Sequence, residues 1–162
     1  MKFTHRAEYA ASPDEVWATM SSQEFQDAKC EATTTGEWTS NVSTTGDRTT
    51  ITSDRVLPTD DLPDIAKSFV GSKLTIAEVQ TWGPAAADGS RTADLNVHIK
   101  GAPMTLKGTA RLSPNGSGTV QEIQGDVKVS VPLIGGKLEK AASEPLMFAA
   151  KTETDLLRDR LS

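Results

Sequence analysis

Apolar and polar positions alternate from the start of the chain. Phe3, His5, Ala7 and Tyr9 share one face, while Lys2, Thr4, Arg6 and Glu8 share the other. Period two predicts a half-buried strand. The alternation stops at Ala10-Ala11-Ser12-Pro13, where the period lengthens. Ser12 suits a helix cap, Pro13 the first helical position and Glu15 the partner of a capping box. Val16, Trp17 and Met20 then recur at helical spacing, and Ser21 with Glu24 predicts a second capping box for a short helix reaching about Ala32.

Alternation returns with a threonine-rich strand over about 33–43, with Trp38 and Val42 on one side, and a hairpin turn at Thr44-Thr45-Gly46-Asp47. Its partner strand runs over about 48–57. A short helix is predicted over Ile65–Phe69, ending near Gly71, and a strand over Lys73–Trp82. Three more strands follow. The first, Arg91–Lys100, carries Leu95, Val97 and Ile99 on one face. The second, Met104–Leu112, alternates Met104, Leu106, Gly108 and Ala110 with Thr105, Lys107, Thr109 and Arg111. The third, Thr119–Val131, has Val127 on its apolar face. Val120 is out of phase there, which predicts a bulge near Glu122. Ser113-Pro114-Asn115-Gly116 reads as the turn between the last two strands.

From about Gly136 to Leu161 the period becomes helical. Ile134, Leu138, Ala141, Pro145, Phe148, Thr152 and Leu156 trace a spacing of three and four. Pro145 removes a backbone donor in mid-helix and predicts a kink or break. The whole pattern is one α+β domain over residues 1–162: a strand, two short helices, about six antiparallel strands and a long closing helix.

Composition narrows this reading. A net charge of −5 argues against a nucleic-acid binder. No apolar run approaches the roughly 20 residues of a membrane helix, and Lys2, Arg6 and Glu8 interrupt the run that a signal peptide requires. A cytoplasmic location with no stable membrane insertion is the expectation. Cys30 is the single cysteine, so no intrachain disulfide is possible. The chain holds 20 threonines but 8 aromatic residues, which suits solvated strand faces over a thin apolar layer.

The order of elements is the helix-grip order, and it resembles the START/Bet v 1-like (SRPBCC) superfamily. In that superfamily a curved antiparallel sheet of about seven strands wraps a long C-terminal helix. Met1–Tyr9 followed by Ser12-Pro13-Asp14-Glu15-Val16-Trp17 is similar to its first strand and helix. Four words resemble one of its domain families of unknown function: Val56-Leu57-Pro58, Lys67-Ser68-Phe69-Val70-Gly71, Thr81-Trp82-Gly83-Pro84, and the run from Val131 to Glu139. The resemblance spans essentially the whole chain. It implies an elongated apolar cavity between sheet and last helix, and relatives that carry lipids, sterols, plant hormones or polyketides, with a minority of cyclases and hydrolases.

Candidate cavity residues follow from the inward faces: Phe3, His5, Tyr9, Trp38, Leu95, Val97, Ile99, Met104, Leu106 and Val127 on the sheet, and Leu138, Ala141 and Phe148 on the last helix. Small residues such as Ala7, Gly108, Ala110, Gly125 and Ala149 leave room between them. The plain alternative is a helix that packs closer over a solid core. His5 could orient a polar ligand head or act as a base, or be a hydrogen-bonded core histidine. His98 lies between Val97 and Ile99 and points to solvent.

No metal site is visible. Two histidines and one cysteine match no ligand spacing, and Asp60, Asp61 and Asp64 read as a helix cap. Gly135-Gly136-Lys137 lacks the further residues of a phosphate loop. Three functions follow: a carrier of a small hydrophobic molecule with no cofactor, a cyclase- or hydrolase-like enzyme using His5 or Tyr9, and a protein-interaction module.

Overall fold

The computed structural model describes residues 1–162. In order they form β1 (Lys2–Tyr9), α1 (Pro13–Met20), α2 (Gln23–Thr33), β2 (Trp38–Thr45), β3 (Arg48–Pro58), α3 (Asp64–Val70), β4 (Lys73–Trp82), β5 (Arg91–Ile99), β6 (Met104–Asn115), β7 (Gly118–Val129) and α4 (Gly135–Leu161). The seven strands pair antiparallel in the order β1-β7-β6-β5-β4-β3-β2. The helix α4 lies across the inner face, with α1 and α2 packed beside it. This is the α+β helix-grip arrangement that the element order implies.

Local chemistry sets the element ends. Ser12 caps α1 by accepting a hydrogen bond from the Glu15 amide, and its hydroxyl meets the Glu15 carboxylate at 3.1 Å. The second cap is Ser22, which accepts from the Phe25 amide. It is not Ser21, whose hydroxyl donates back to the Trp17 carbonyl and closes α1. The two helices abut, so adjacent serines divide the two jobs. The α3 helix starts at Pro63 with no side-chain cap, so the neighbouring aspartates do not serve as one.

Strand register corrects three expectations. β7 pairs with both neighbours in unbroken register, so it has no bulge. Val120 instead stands on the outer face between Glu8 and Ser113, and is buried there. Pro114 continues β6 opposite Thr119, leaving the turn to Gly116 and Ser117. Residues 34–37 precede β2 rather than belonging to it, and Thr33 ends α2 by donating its hydroxyl to the Lys29 carbonyl.

Gly108 and Gly125 face each other across β6 and β7. A Cβ on Gly108 would run into the Gln124 backbone carbonyl, and one on Gly125 would sit 2.8 Å from a Leu106 methyl. These glycines therefore permit close strand approach rather than opening cavity space.

The core divides along α4. One cluster, toward the first helices, includes Tyr9, Val16, Met20, Phe25, Ile51, Trp82, Leu112 and Leu157. The other includes Phe3, Ile76, Leu95, Val97, Leu106, Val127, Leu146 and Ala150. α4 runs unbroken through Pro145. Its buried stripe is Leu138, Leu146, Ala149, Ala150, Glu153, Thr154 and Leu157. Beyond Pro145 this lies one or two positions from the predicted stripe, and Phe148 is 57% exposed. A carboxylate at the centre of the true stripe hides it from a hydrophobicity pattern.

Candidate functional site

An apolar cavity of about 90 Å³ lies under the first half of α4. The end of β3 supplies Leu57 and Pro58, α3 supplies Ala66, Phe69 and Val70, and β4 supplies Leu74 and Ile76. The turn from β5 to β6 closes one side with Ile99, Ala102, Pro103 and Met104, while Leu138, Ala141, Ala142, Pro145 and Leu146 descend from α4. None of the 19 lining side chains carries a polar nitrogen or oxygen. Leu57, Pro58, Leu62, Ala141 and Pro145 also line a wider outer groove of about 620 Å³, where Phe148 stands. No residue of α3 is buried, so the cavity's cover is the least anchored helix in the fold.

Further along α4 a second cavity, of about 50 Å³, has a different wall. Its apolar part is built from residues such as Phe3, Leu95, Val97, Leu106 and Ala150, but six polar groups complete it: Lys29, Arg55, Glu78, Gln80, Gln121 and Glu153. They come from α2, β3, β4, β7 and α4. Lys29 Nζ lies 2.8 Å from Glu153 Oε2 and 3.4 Å from Glu78 Oε1. Arg55 Nη2 lies 3.4 Å from Glu78 Oε2, and Nη1 donates to the Thr33 hydroxyl at 2.9 Å. Gln80 donates to Glu78, and the Trp82 indole donates to Gln80. Gln121 donates to Glu153 at 2.9 Å and accepts from the Tyr9 hydroxyl at 2.8 Å. Leu146 stands in the wall of both cavities.

The electrostatics follow from this pairing. Burial works to raise the Glu78 carboxyl, but Lys29 and Arg55 outweigh it and bring it down to about 2. Burial likewise works to lower the Lys29 ammonium, and Glu153 and Glu78 overcome that and raise it. Both groups therefore stay charged at neutral pH. Such a cluster is weak support for stability as a whole, yet removing one member strands the others.

The predicted residues divide among these places. Ile99, Met104, Leu138 and Ala141 line the apolar cavity. Phe3, Leu95, Val97 and Leu106 line the polar one. Phe148 reaches the outer groove alone, and Val127 is fully buried in the core between strands. His5 and Tyr9 line neither cavity. His5 Nε2 meets the Thr154 hydroxyl at 2.9 Å, and burial lowers its pKa. Tyr9 is committed to Gln121, and burial followed by the Glu153 charge raises its pKa. Trp38 is half-buried at the start of the edge strand β2, and His98 is exposed. Cys30 is buried, which pushes its thiol pKa up.

The polar six were not among the candidates. A signal for two of them was present, since Glu78 and Gln80 stand in phase between Ile76 and Trp82 on the inner face of β4.

A family model described as "Protein of unknown function (DUF2505)" matches residues 4–161. An uncharacterized protein of Mycobacterium tuberculosis is 37% identical over 81 residues, which are 49% of this chain and 46% of that protein. One of Mycobacterium bovis matches to the same extent. The matched stretch thus spans about half the length of these curated relatives.

Among solved structures, the Zhui aromatase/cyclase from Streptomyces sp. R1128 superposes with a TM-score of 0.60 at 9% identity, over 99% of this chain and 93% of that one. A STAR-related lipid transfer protein from Xanthomonas axonopodis gives 0.58 at 17% identity, over 99% and 85%. Human STARD10 gives 0.61 at 10% identity, over 96% and 62%. At these identities the likeness establishes the START/Bet v 1-like fold.

Proposed function

The chain belongs to the DUF2505 family, and from that premise we propose that it binds one small hydrophobic molecule in the cavity between α4, α3 and the sheet. The observation that carries this reading is the chemistry of the wall. A cavity lined by 19 side chains without a polar nitrogen or oxygen offers apolar transfer and dispersion, and no acid, base or nucleophile. Each 100 Å² of ligand surface removed from water would contribute roughly 2.5 kcal/mol before the losses of association. The outer groove gives the ligand room beyond the enclosed part, and α3 is the cover that must move for it to enter.

Two of the similar solved proteins are named for lipid transfer and for cyclisation. The carrier reading is favoured over the enzyme reading by the placement of His5 and Tyr9. Both are tied to other side chains and neither lines either of the two cavities under α4. An interaction module would need a broad exposed apolar face. The outer faces of the strands instead present residues such as Thr105, Lys107, Thr109 and Arg111.

The test is native mass spectrometry of gently purified protein, together with titration by an environment-sensitive fluorescent lipid. One bound molecule per chain is the expected result. Absence of both a bound mass and any lipid uptake would remove the reading.

A further inference from the structure

The second cavity bears on which hydrophobic molecule is bound, and the inference rests on the carrier reading. Its charges balance, with Lys29 and Arg55 against Glu78 and Glu153. Counted by nitrogen, every donor but one makes at least one contact: Lys29 Nζ with two carboxylates, Gln80 and Gln121 with one each, and Arg55 Nη1 and Nη2 with Thr33 and Glu78. One is left over. Arg55 is 3% exposed, and its Nε has no hydrogen-bond partner. A buried donor of this kind requires an acceptor, because desolvation without a partner is costly.

The same charge balance limits what that acceptor can be. A carboxylate or phosphate would bring uncompensated negative charge among buried groups that already include two carboxylates. An ammonium would crowd Lys29 and Arg55 and could not accept from Nε. An uncharged oxygen meets both conditions. A carbonyl accepts from Nε without altering the balance, and a hydroxyl can in addition donate to a free carboxylate lone pair.

We propose that the ligand is a neutral amphiphile whose apolar body fills the cavity under α4. Its ketone, ester or hydroxyl oxygen passes Leu146 and accepts a hydrogen bond from Arg55 Nε. Leu146 is the gate between the two compartments, since it alone lines both. Arg55 is then the residue that selects the head group, and the apolar cavity selects only length and shape.

The test compares a long-chain methyl ketone, alcohol, fatty acid and primary amine of equal chain length, by calorimetry on the full chain. The ketone and alcohol are expected to bind about tenfold tighter than the acid and amine, the effect of one hydrogen bond to a charged donor. Arg55→Lys keeps the charge and removes Nε, and is expected to erase most of that preference while leaving the acid and amine affinities in place. Leu146→Phe, which leaves Arg55 and its partners intact, is expected to weaken the ketone and alcohol more than the acid and amine by closing the passage, on top of any loss common to all four from the altered cavity wall. Infrared spectra of a carbonyl-labelled ketone on the wild-type protein give a readout that needs no variant: the bound carbonyl stretch should fall below its value in hydrocarbon. Equal binding of all four probes, or a bound carbonyl stretch at the hydrocarbon value, overturns the head-group assignment and leaves the carrier reading standing; Arg55 Nε is then served by water. Binding of no probe overturns both.

Discussion

Glu78 shows how one residue sets the pH response of the fold. Its carboxyl lies at about 2 in the folded chain against an ordinary value of 4.5. The folded state therefore holds its proton less tightly than the unfolded state. Its contribution is complete above about 4.5 and is lost as pH falls toward 2, amounting to roughly 3 kcal/mol. Lys29 is raised, so its share is present below its ordinary 10.5 and is lost as pH rises beyond that. Melting curves from neutral pH down to about 2.5 should show a steep loss in the wild type. Glu78→Gln should start less stable by about 3 kcal/mol and vary less over the same window; a parallel slope would remove Glu78 from the acid response. Leu133 is a second residue with its own test. It is fully exposed with φ of 69°, a left-handed conformation that disfavours a branched side chain. Leu133→Asn should raise stability by about 1 kcal/mol in denaturant melts, and a loss would show that the leucine makes a compensating contact. At this scale the sequence was least informative. No motif or spacing singles out Lys29, Arg55 or Glu153, and only a three-dimensional arrangement joins five elements around them.

Elements were far more legible, because period two and period 3.6 are strong signals in a chain with few interruptions. β4 was predicted with its observed ends, Lys73 and Trp82, and β3 to within a residue. The misses have local causes. Abutting helices moved a cap from Ser21 to Ser22, an outer-face Val120 imitated a bulge, and Pro114 sat in a strand where its missing donor did no harm. Pro145 is the instructive case. The helix absorbs it without a break, leaving the Ala141 carbonyl without its usual donor four residues on. Both residues line the cavity and the outer groove. Pro145→Ala restores that hydrogen bond and should stabilise α4 by about 1–2 kcal/mol, read from denaturant midpoints. A destabilised variant would mean that the proline ring's packing in the cavity wall outweighs the missing bond.

Across the whole molecule the open question was whether a thin apolar layer spaced by alanine and glycine closes up or stays open. Two cores form along α4, with Ile123 packed against both. The spare volume collects at the α3 end and around the charged cluster. The threonine-rich outer faces and the sparse inner layer are thus two sides of one sheet that curves around a helix without filling the space beneath its first half. The central claim is that this space holds the ligand, and Ala142 lies in its wall. The direct measurement is the stoichiometry and affinity of a long-chain ketone for the wild type and for Ala142→Phe, with melting temperatures recorded alongside. The account predicts one ketone per wild-type chain and at least about a tenfold weaker affinity in the variant, whose melting temperature is unchanged or raised because the new ring fills a void. Undiminished binding by a folded Ala142→Phe protein would contradict it.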